Sequence, residues 1–459
     1  MISRVAGDGT ISLVDHEGPG RSWALEESLV LVMDGAHPLD GPMCISLAAV
    51  DQVILGRGPT RAARDAGTRR LRIDLADPAV SSTHAKLIRT GREWTVTDEH
   101  SKNGTVMNGR RITRALLTAD DLLELGTSFF LLRRGVAPPR KDRPAFRTLN
   151  AALGQAVELL ASVAQSTLPI LLLGETGTGK EMLARAAHEV SGRRGPFVAV
   201  NCGAIPETLM ESELFGVRKG AYSGADADRV GMVAAAQGGT LFLDEIAELP
   251  EASQAALLRV LQDGEVLPLG STKPLQVDVR ILAATHQNLP ERAASGRFRN
   301  DLYSRLRGHV VTLPPLRSRR EDLGLLCAEL LPRAAGTRAS GLVFQRAAAR
   351  ALLIYGWPHN IRELQQVLTR AVAVLEGNEI RVADLPDEIA APAGFPTGEQ
   401  PVADDKARLV QLLRAHEGNL SAVARALGTS RSQVRRLLER HEIDLAQFRG
   451  ADDTAEEDD

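Results

Sequence analysis

Residues 174–180 read Gly-Glu-Thr-Gly-Thr-Gly-Lys and follow directly on the apolar run 168–173. A strand that feeds a glycine-rich turn, a lysine and then a helix is an arrangement for holding phosphate. The glycines let successive backbone N–H groups converge on a polyphosphate, and the helix N-terminus adds partial positive charge. Gly174, Glu175, Thr176, Gly177, Thr178 and Gly179 would form the cradle, and Lys180 would reach the β- and γ-phosphates. Glu181 stands where the usual pattern places a Ser or Thr on magnesium, so Thr178 or an acidic residue elsewhere must help with the metal. Residues 238–245, Gly-Gly-Thr-Leu-Phe-Leu-Asp-Glu, form a second signal: a short buried-strand run ending in two acids. Asp244 would hold magnesium, directly or through water, and Glu245 would polarise the attacking water. Alone, such a run is equally a strand end with two solvated acids; Lys180 upstream favours catalysis.

The elements that must position these groups are spread over a long chain. Its 459 residues exceed one ordinary core, so about two to four domains are expected. A hydrophobic content of 44% and a charged content of 25% suit soluble globular domains. With a net charge of only -3, any nucleic-acid surface has to be local. Cys44, Cys202 and Cys327 are scattered without metal-ligand spacing, which fits a reducing compartment. The N-terminus lacks the apolar core of a secretion signal, and no run is long enough to span a bilayer. The expectation is a cytoplasmic protein with no membrane partner.

Residues 28–135 alternate short β-prone runs with turns and predict an all-β sandwich. Polar loops lie between the strands: Gly56-Arg57-Gly58, Ser81-Ser82-Thr83-His84, Ser101-Lys102-Asn103-Gly104-Thr105 and Asn108-Gly109. Together these resemble the landmarks of a forkhead-associated (FHA) domain, a reader of phosphothreonine peptides. The resemblance implies that Arg57 and Ser81 bind the phosphate and that Lys102 and Asn103 contact the peptide, with His84 bracing the loop from behind. Ser82, in the same loop, stands where the family often has Arg or another long polar residue. A guanidinium with hydroxyl and amide donors suits a dianionic phosphate. The plainer alternative is a sandwich used only for docking, with Arg57 and Asn103 stabilising turns. Residues 59–70, rich in Arg and Ala, are expected to form a mobile, solvated loop, and the Pro-rich stretch 136–144 a linker.

From 145 to 388, strand-like and helix-like runs alternate, as in a parallel sheet covered by helices. Beside the two phosphate signals stand Val198-Ala-Val-Asn201, Gly220-Ala221-Tyr222-Ser223-Gly224-Ala225, residues 280–286 ending in Thr285-His286, Phe298-Arg299, Arg305, residues 313–317, and Gly356-Trp-Pro-His-Asn-Ile-Arg362. The series closely resembles the AAA+ ATPase domain of bacterial sigma-54 activators, in which a Glu after the P-loop lysine is normal. It implies ATP and Mg2+ as cofactors and a helical lid from about residue 320, whose Arg362 contacts the nucleotide. Asn201 would couple Glu245 to the nucleotide state, and Thr285 with His286 would sense the γ-phosphate. Arg299 and Arg305 would act as arginine fingers in a neighbouring subunit, which requires a ring, usually a hexamer. Gly220 to Ala225 resemble the family's sigma-54 contact loop, with Tyr222 and Ser223 replacing Phe and Thr while keeping a ring and a hydroxyl.

After a second linker, 389–403, residues 404–446 predict a helix-turn-helix, followed by an acidic tail, 447–459. Ser430, Arg431, Ser432, Gln433, Arg435 and Arg436 are the candidates for base or phosphate contacts. This segment resembles the Fis-type DNA-binding domain. The whole reads as an N-terminal FHA-like β-sandwich, a central α/β AAA+ P-loop ATPase with a helical lid, and a C-terminal all-α helix-turn-helix. The implied partners are sigma-54 RNA polymerase, upstream DNA, a phosphothreonine peptide or kinase partner, and further copies of the chain. Two rivals stay open: a DNA-binding AAA+ regulator that does not engage sigma-54, and a phosphopeptide-binding scaffold in which ATP only controls assembly.

Overall fold

A computed structural model of the chain describes residues 27–135, 146–221 and 226–390, with isolated positions between 410 and 448. The expected linkers 136–144 and 389–403, Tyr222 to Ala225, the six DNA-contact candidates and the acidic tail lie wholly or almost wholly outside them. The chain divides into two compact units, Met1–Pro392 and Ala393–Asp459.

The first unit begins with two six-stranded sheets. One has the spatial order Met43–Ser46, Glu27–Asp34, Ser128–Arg134, Leu122–Leu125, Thr105–Met107, Arg110–Ile112. The other runs Arg114–Leu117, Glu93–Asp98, Ala85–Thr90, Gln52–Arg57, Arg70–Leu75, Ala62–Gly67. Alternate residues of both, among them Leu29, Leu31, Val53, Leu55, Leu87, Val96 and Phe130, fill the space between the sheets. The segment expected as a mobile loop at 59–70 instead contains the edge strand Ala62–Gly67, antiparallel to Arg70–Leu75. Two features outweigh its weak β propensity: Ala63 turns inward and is buried, and Arg64 joins Arg72 on the buried carboxylate of Asp74.

The ATPase part carries a five-stranded parallel sheet in the order Phe197–Asn201, Thr240–Asp244, Arg280–Thr285, Ile170–Leu173, His309–Thr312. Its central strands are apolar between their ends because both faces are covered. Leu171, Leu241, Leu243, Ile281 and Ala283 pack into one core, while Ile170, Leu172, Phe242, Leu282, Ala284 and Val311 pack into the other. Helix Ala151–Val163 starts on Asn150, whose side chain accepts a hydrogen bond from the Leu153 N–H. The lid follows as helices Leu323–Ala335, Arg346–Ile354, Asn360–Val374 and Asp387–Ala390.

In the second unit, Leu413, Leu420, Val423 and Leu438 form a small apolar core, with Leu412, Ile443 and Phe448 against it. Asn419 caps a turn there by accepting from the Ala422 N–H at 3.1 Å. Among the described residues, no helix is long and apolar enough to cross a membrane.

Candidate functional site: a nucleotide pocket under a helical lid

The strand Ile170–Leu173 ends at the glycine-rich turn, and helix Lys180–Val190 leaves it. Gly174, Gly177 and Gly179 all take positive φ, which an L side chain would resist. At Gly177 a side chain is also excluded by space: a Cβ would lie 2.2 Å from the carbonyl oxygen of His359 in the lid. Lys180 is buried and donates through Nζ to the carbonyls of Gly174 and Glu175, at 2.8 and 3.1 Å. Burial lowers its pKa, opposed by the carboxylates of Glu245 and Asp244. The Thr178 hydroxyl donates to the Glu175 carbonyl at 2.8 Å, and Glu181 pairs with Arg185 on the helix surface.

The two acids stand at the end of the neighbouring strand but one. Burial raises the pKa of Asp244, and the positive charge of Lys180 opposes that shift. Glu245 adopts a left-handed backbone, and its Oε2 lies 2.8 Å from His286 Nδ1. Asn201 pairs in register with Asp244 on the adjacent strand, and its side-chain oxygen accepts from the Gly203 N–H at 3.0 Å. Thr285 is fully buried and accepts from the Gln287 N–H at 3.0 Å.

A cavity of about 370 Å³ brings Thr176, Gly177, Gly179, Lys180, Glu181, Asn201, Asp244, Glu245 and Arg362 together. Its lining does not include Arg299, half-buried just before helix Asn300–Leu306, or Arg305, exposed on it; Arg299 pairs with Asp301 at 2.7 Å. Gly220 and Ala221, where the expected sigma-54 contact stretch begins, follow a two-stranded pair, Gly216–Val217 against Arg229–Val230. Asp228 closes that pair on Arg218 and on the Lys219 N–H.

Several residues without an assigned role in the sequence hold the lid to the turn. Asn360 is fully buried; its Nδ2 donates to Glu175 Oε2 and to the Thr176 carbonyl, and its Oδ1 accepts from the Leu316 N–H. Arg317 makes a two-pronged pair with Glu175 at 2.6 and 2.9 Å, which with Asn360 brings the Glu175 carboxyl down to about 2. Arg319, also buried, donates to the Thr178 carbonyl at 2.6 Å. Asp322 accepts from Thr148 Oγ1 and the Leu149 N–H, and burial pushes its carboxyl up to about 6. Arg317 and Asn360 did fall within motif stretches, but nothing in the spacing paired them with the turn.

On the sandwich, Ser81, Lys102 and Asn103 come together at one end. Ser81 Oγ accepts from the Lys102 N–H at 3.0 Å, and Asn103 donates to the Ala79 carbonyl at 2.7 Å. Arg57, exposed, holds the same loop by donating its N–H to the Ser81 carbonyl at 2.8 Å. Ser82 is exposed, and its carbonyl accepts from Arg72. His84 is fully buried behind the loop; burial lowers its pKa, so a neutral ring accepts from the Ser81 N–H through Nδ1.

A strand, phosphate turn and helix beside a strand-end acid pair, roofed by a helical lid that supplies an arginine, define a P-loop ATPase of the AAA+ type. Known proteins make this specific. Residues 147–312 match the Sigma-54 interaction domain and 317–399 the AAA+ ATPase lid domain. Residues 53–126 match the FHA domain, and 402–441 match the bacterial regulatory proteins of the Fis family. The acetoin catabolism regulatory protein of Cupriavidus necator is 46% identical over 334 residues, covering 68% of this chain and 50% of that protein. The hydrogenase transcriptional regulatory protein HoxA of the same organism is 42% identical, covering 69% of this chain and 70% of its own. The transcriptional regulatory protein GlrR of Escherichia coli is 40% identical, covering 68% and 71%. The crystal structure of NtrX from Brucella abortus in complex with ADP matches with a TM-score of 0.51 at 32% identity, over 65% of this chain and 70% of that one. The chain belongs to the family of sigma-54-dependent transcriptional regulators, and it combines an FHA domain, the AAA+ ATPase of that family and a Fis-type helix-turn-helix. It spans half the length of the acetoin regulator.

Proposed function

We propose that this protein uses ATP hydrolysis to remodel the closed promoter complex of sigma-54 RNA polymerase, under the control of a phosphothreonine partner read by its FHA domain. The carrying observation is the convergence of Lys180, Asp244, Glu245 and Arg362 on one cavity at the edge of the sigma-54 interaction domain. Lys180 would bind the β- and γ-phosphates. Asp244, on the cavity lining, fits magnesium, which needs only one or two protein oxygens beside phosphates and water. When bound, magnesium would neutralise charge on the phosphates. Glu245 would orient the attacking water, and its contact with His286 holds the carboxylate at one edge of the site. Arg299, half-buried, and Arg305, exposed, both off the cavity lining, suit a role in a neighbouring subunit's site, and hence a ring, with a hexamer as the family's usual form. Residues 220–225 would touch sigma-54, residues 430–436 would hold upstream DNA, and Arg57, Ser81, Lys102 and Asn103 would hold the phosphopeptide. Such a protein would work in the cytoplasm.

The test is open-complex formation on a sigma-54 promoter with purified protein and ATP. Wild type should open the promoter. Glu245→Gln should lose at least about 10²-fold in ATP turnover, as expected for a missing general base, and should lose opening with it. Tyr222→Ala should keep turnover and lose opening. Turnover without opening in the wild type, with or without residues 27–135, would instead leave a regulator that does not engage sigma-54.

A further inference from the structure

The sandwich and the ATPase lid meet along a seam with a surplus of positive charge. Glu124, fully buried on the sandwich, accepts from Arg350 through Nε at 2.8 and 3.0 Å and through Nη2 at 2.5 Å. Arg346 adds one contact at 3.3 Å. Arg350 alone satisfies the carboxylate, so a second half-buried guanidinium faces a charge that is already paired. Nη2 of Arg346 is buried and has no hydrogen-bond partner among the described residues. A buried N–H without an acceptor costs stability, and it shows that Glu124 satisfies Arg346 only in part.

Space for an anion lies beside the solvent-facing part of the Arg346 side chain. A cleft of about 580 Å³ opens between the domains, with Asn103 and Arg111 on the sandwich side and Gln345, Arg346 and Arg350 on the lid side. Arg111 is exposed and, among the described residues, has no carboxylate partner. Three arginines thus border the cleft, against the single carboxylate of Glu124. The cleft begins where the phosphate loop ends. Lys102, bonded to Ser81, is followed directly by Asn103, so a peptide held at Arg57 and Ser81 and passing Asn103 is led into it.

We propose that this seam is the second half of the phosphopeptide site: it takes an acidic flank of the peptide, so that the sandwich and the ATPase lid read one ligand together. The inference rests on the phosphothreonine reading of the sandwich. Its consequence is a route from ligand to motor, because the lid that carries Arg346 and Arg350 also carries Asn360 and Arg319, which hold the phosphate turn. Occupancy of the cleft therefore bears on nucleotide binding without any further partner.

The full-length protein, immobilised, is offered a phosphothreonine-centred peptide library degenerate at the flanking positions, and its unphosphorylated counterpart. The retained peptides are sequenced. Wild type should select phosphothreonine and also Asp or Glu at fixed flanking positions. Arg346→Gln leaves Glu124 paired with Arg350, and Arg111→Gln changes an exposed side chain. Each should keep the phosphothreonine selection, lose the acidic preference and weaken binding of the best acidic peptide about tenfold, the value of one charge pair at the low end of measured couplings. Phosphothreonine selection with no acidic preference, or with one unchanged in both variants, would overturn the composite site and leave the FHA reading standing. Absence of phosphothreonine selection, with Arg57→Ala indistinguishable from wild type, would overturn both.

Discussion

Glu245 is one of a few non-glycine residues in the left-handed backbone region, at φ 52°. That conformation costs on the order of 1 kcal/mol and aims the carboxylate at His286 rather than along the strand. Asp322 shows a different kind of strain. It lies beneath the lid with its oxygens on Thr148 and Leu149, and its carboxyl titrates at about 6 rather than 3.8. A pKa raised on folding means that the folded state takes the proton first. This group's contribution to stability is therefore fully present below about pH 4 and is lost as pH rises through about 6. The size is about 3 kcal/mol from the two-unit shift. Asp322→Asn should accordingly flatten the change in urea midpoint between pH 5 and pH 7.5, a difference readable by fluorescence.

The phosphate turn is held from both ends of the molecule's ATPase part. The parallel sheet presents it at the end of Ile170–Leu173, and the lid clasps it through Arg317, Arg319 and Asn360. The side-chain contacts from the lid fall on Glu175, Thr176 and Thr178, the residues between the glycines, and the Ile361 N–H adds a backbone bond to the Gly177 carbonyl at 2.9 Å. Lid position and turn shape are thus one mechanical unit. Asn360→Ala would remove three hydrogen bonds and leave the Leu316 N–H buried without a partner, a loss of about 1–3 kcal/mol. The expected result is roughly tenfold weaker binding of a fluorescent ADP analogue, with Lys180 and Asp244 untouched. Unchanged affinity would mean that the turn keeps its shape without the lid.

The sandwich is packed into the ATPase rather than tethered to it. Glu27–Asp34 is buried almost along its whole length: Leu29 and Leu31 face the sandwich core, while Val30 and Val32, also fully buried, belong to the other face. Helix Leu323–Ala335 lies on that strand so closely that a Cβ on Gly324 would come within 1.7 Å of the Val32 carbonyl oxygen. Arg133 to Glu321 and the Phe344 N–H to the Gly35 carbonyl extend the same interface. Gly324 is the second residue of its helix, where alanine is readily accommodated, so Gly324→Ala would be tolerated in an isolated lid and clash only in the docked form. Hydrogen exchange should therefore show faster exchange across residues 27–34 in this variant while the sheet under the phosphate turn stays protected.

The chemistry of this protein was legible in the chain because it is written contiguously. A phosphate turn, an acid pair and a loop of polar FHA landmarks each depend on neighbours in sequence, and local backbone geometry turns those neighbours into a site. The sandwich and the parallel sheet could be read from strand periodicity for the same reason. The edge strand Ala62–Gly67 escaped because its pairing depends on Asp74 and a buried Ala63 rather than on its own β propensity. Residues far apart in the chain were decided only by tertiary structure: Asn360 on Glu175, Arg319 on Thr178, Arg350 on Glu124. The continuous apolar run 29–33 did carry a sign that the strand is covered on both sides, since a solvated sheet face would alternate. What covers it was not in the run, because burial specifies that apolar surface must leave water but not which surface meets it.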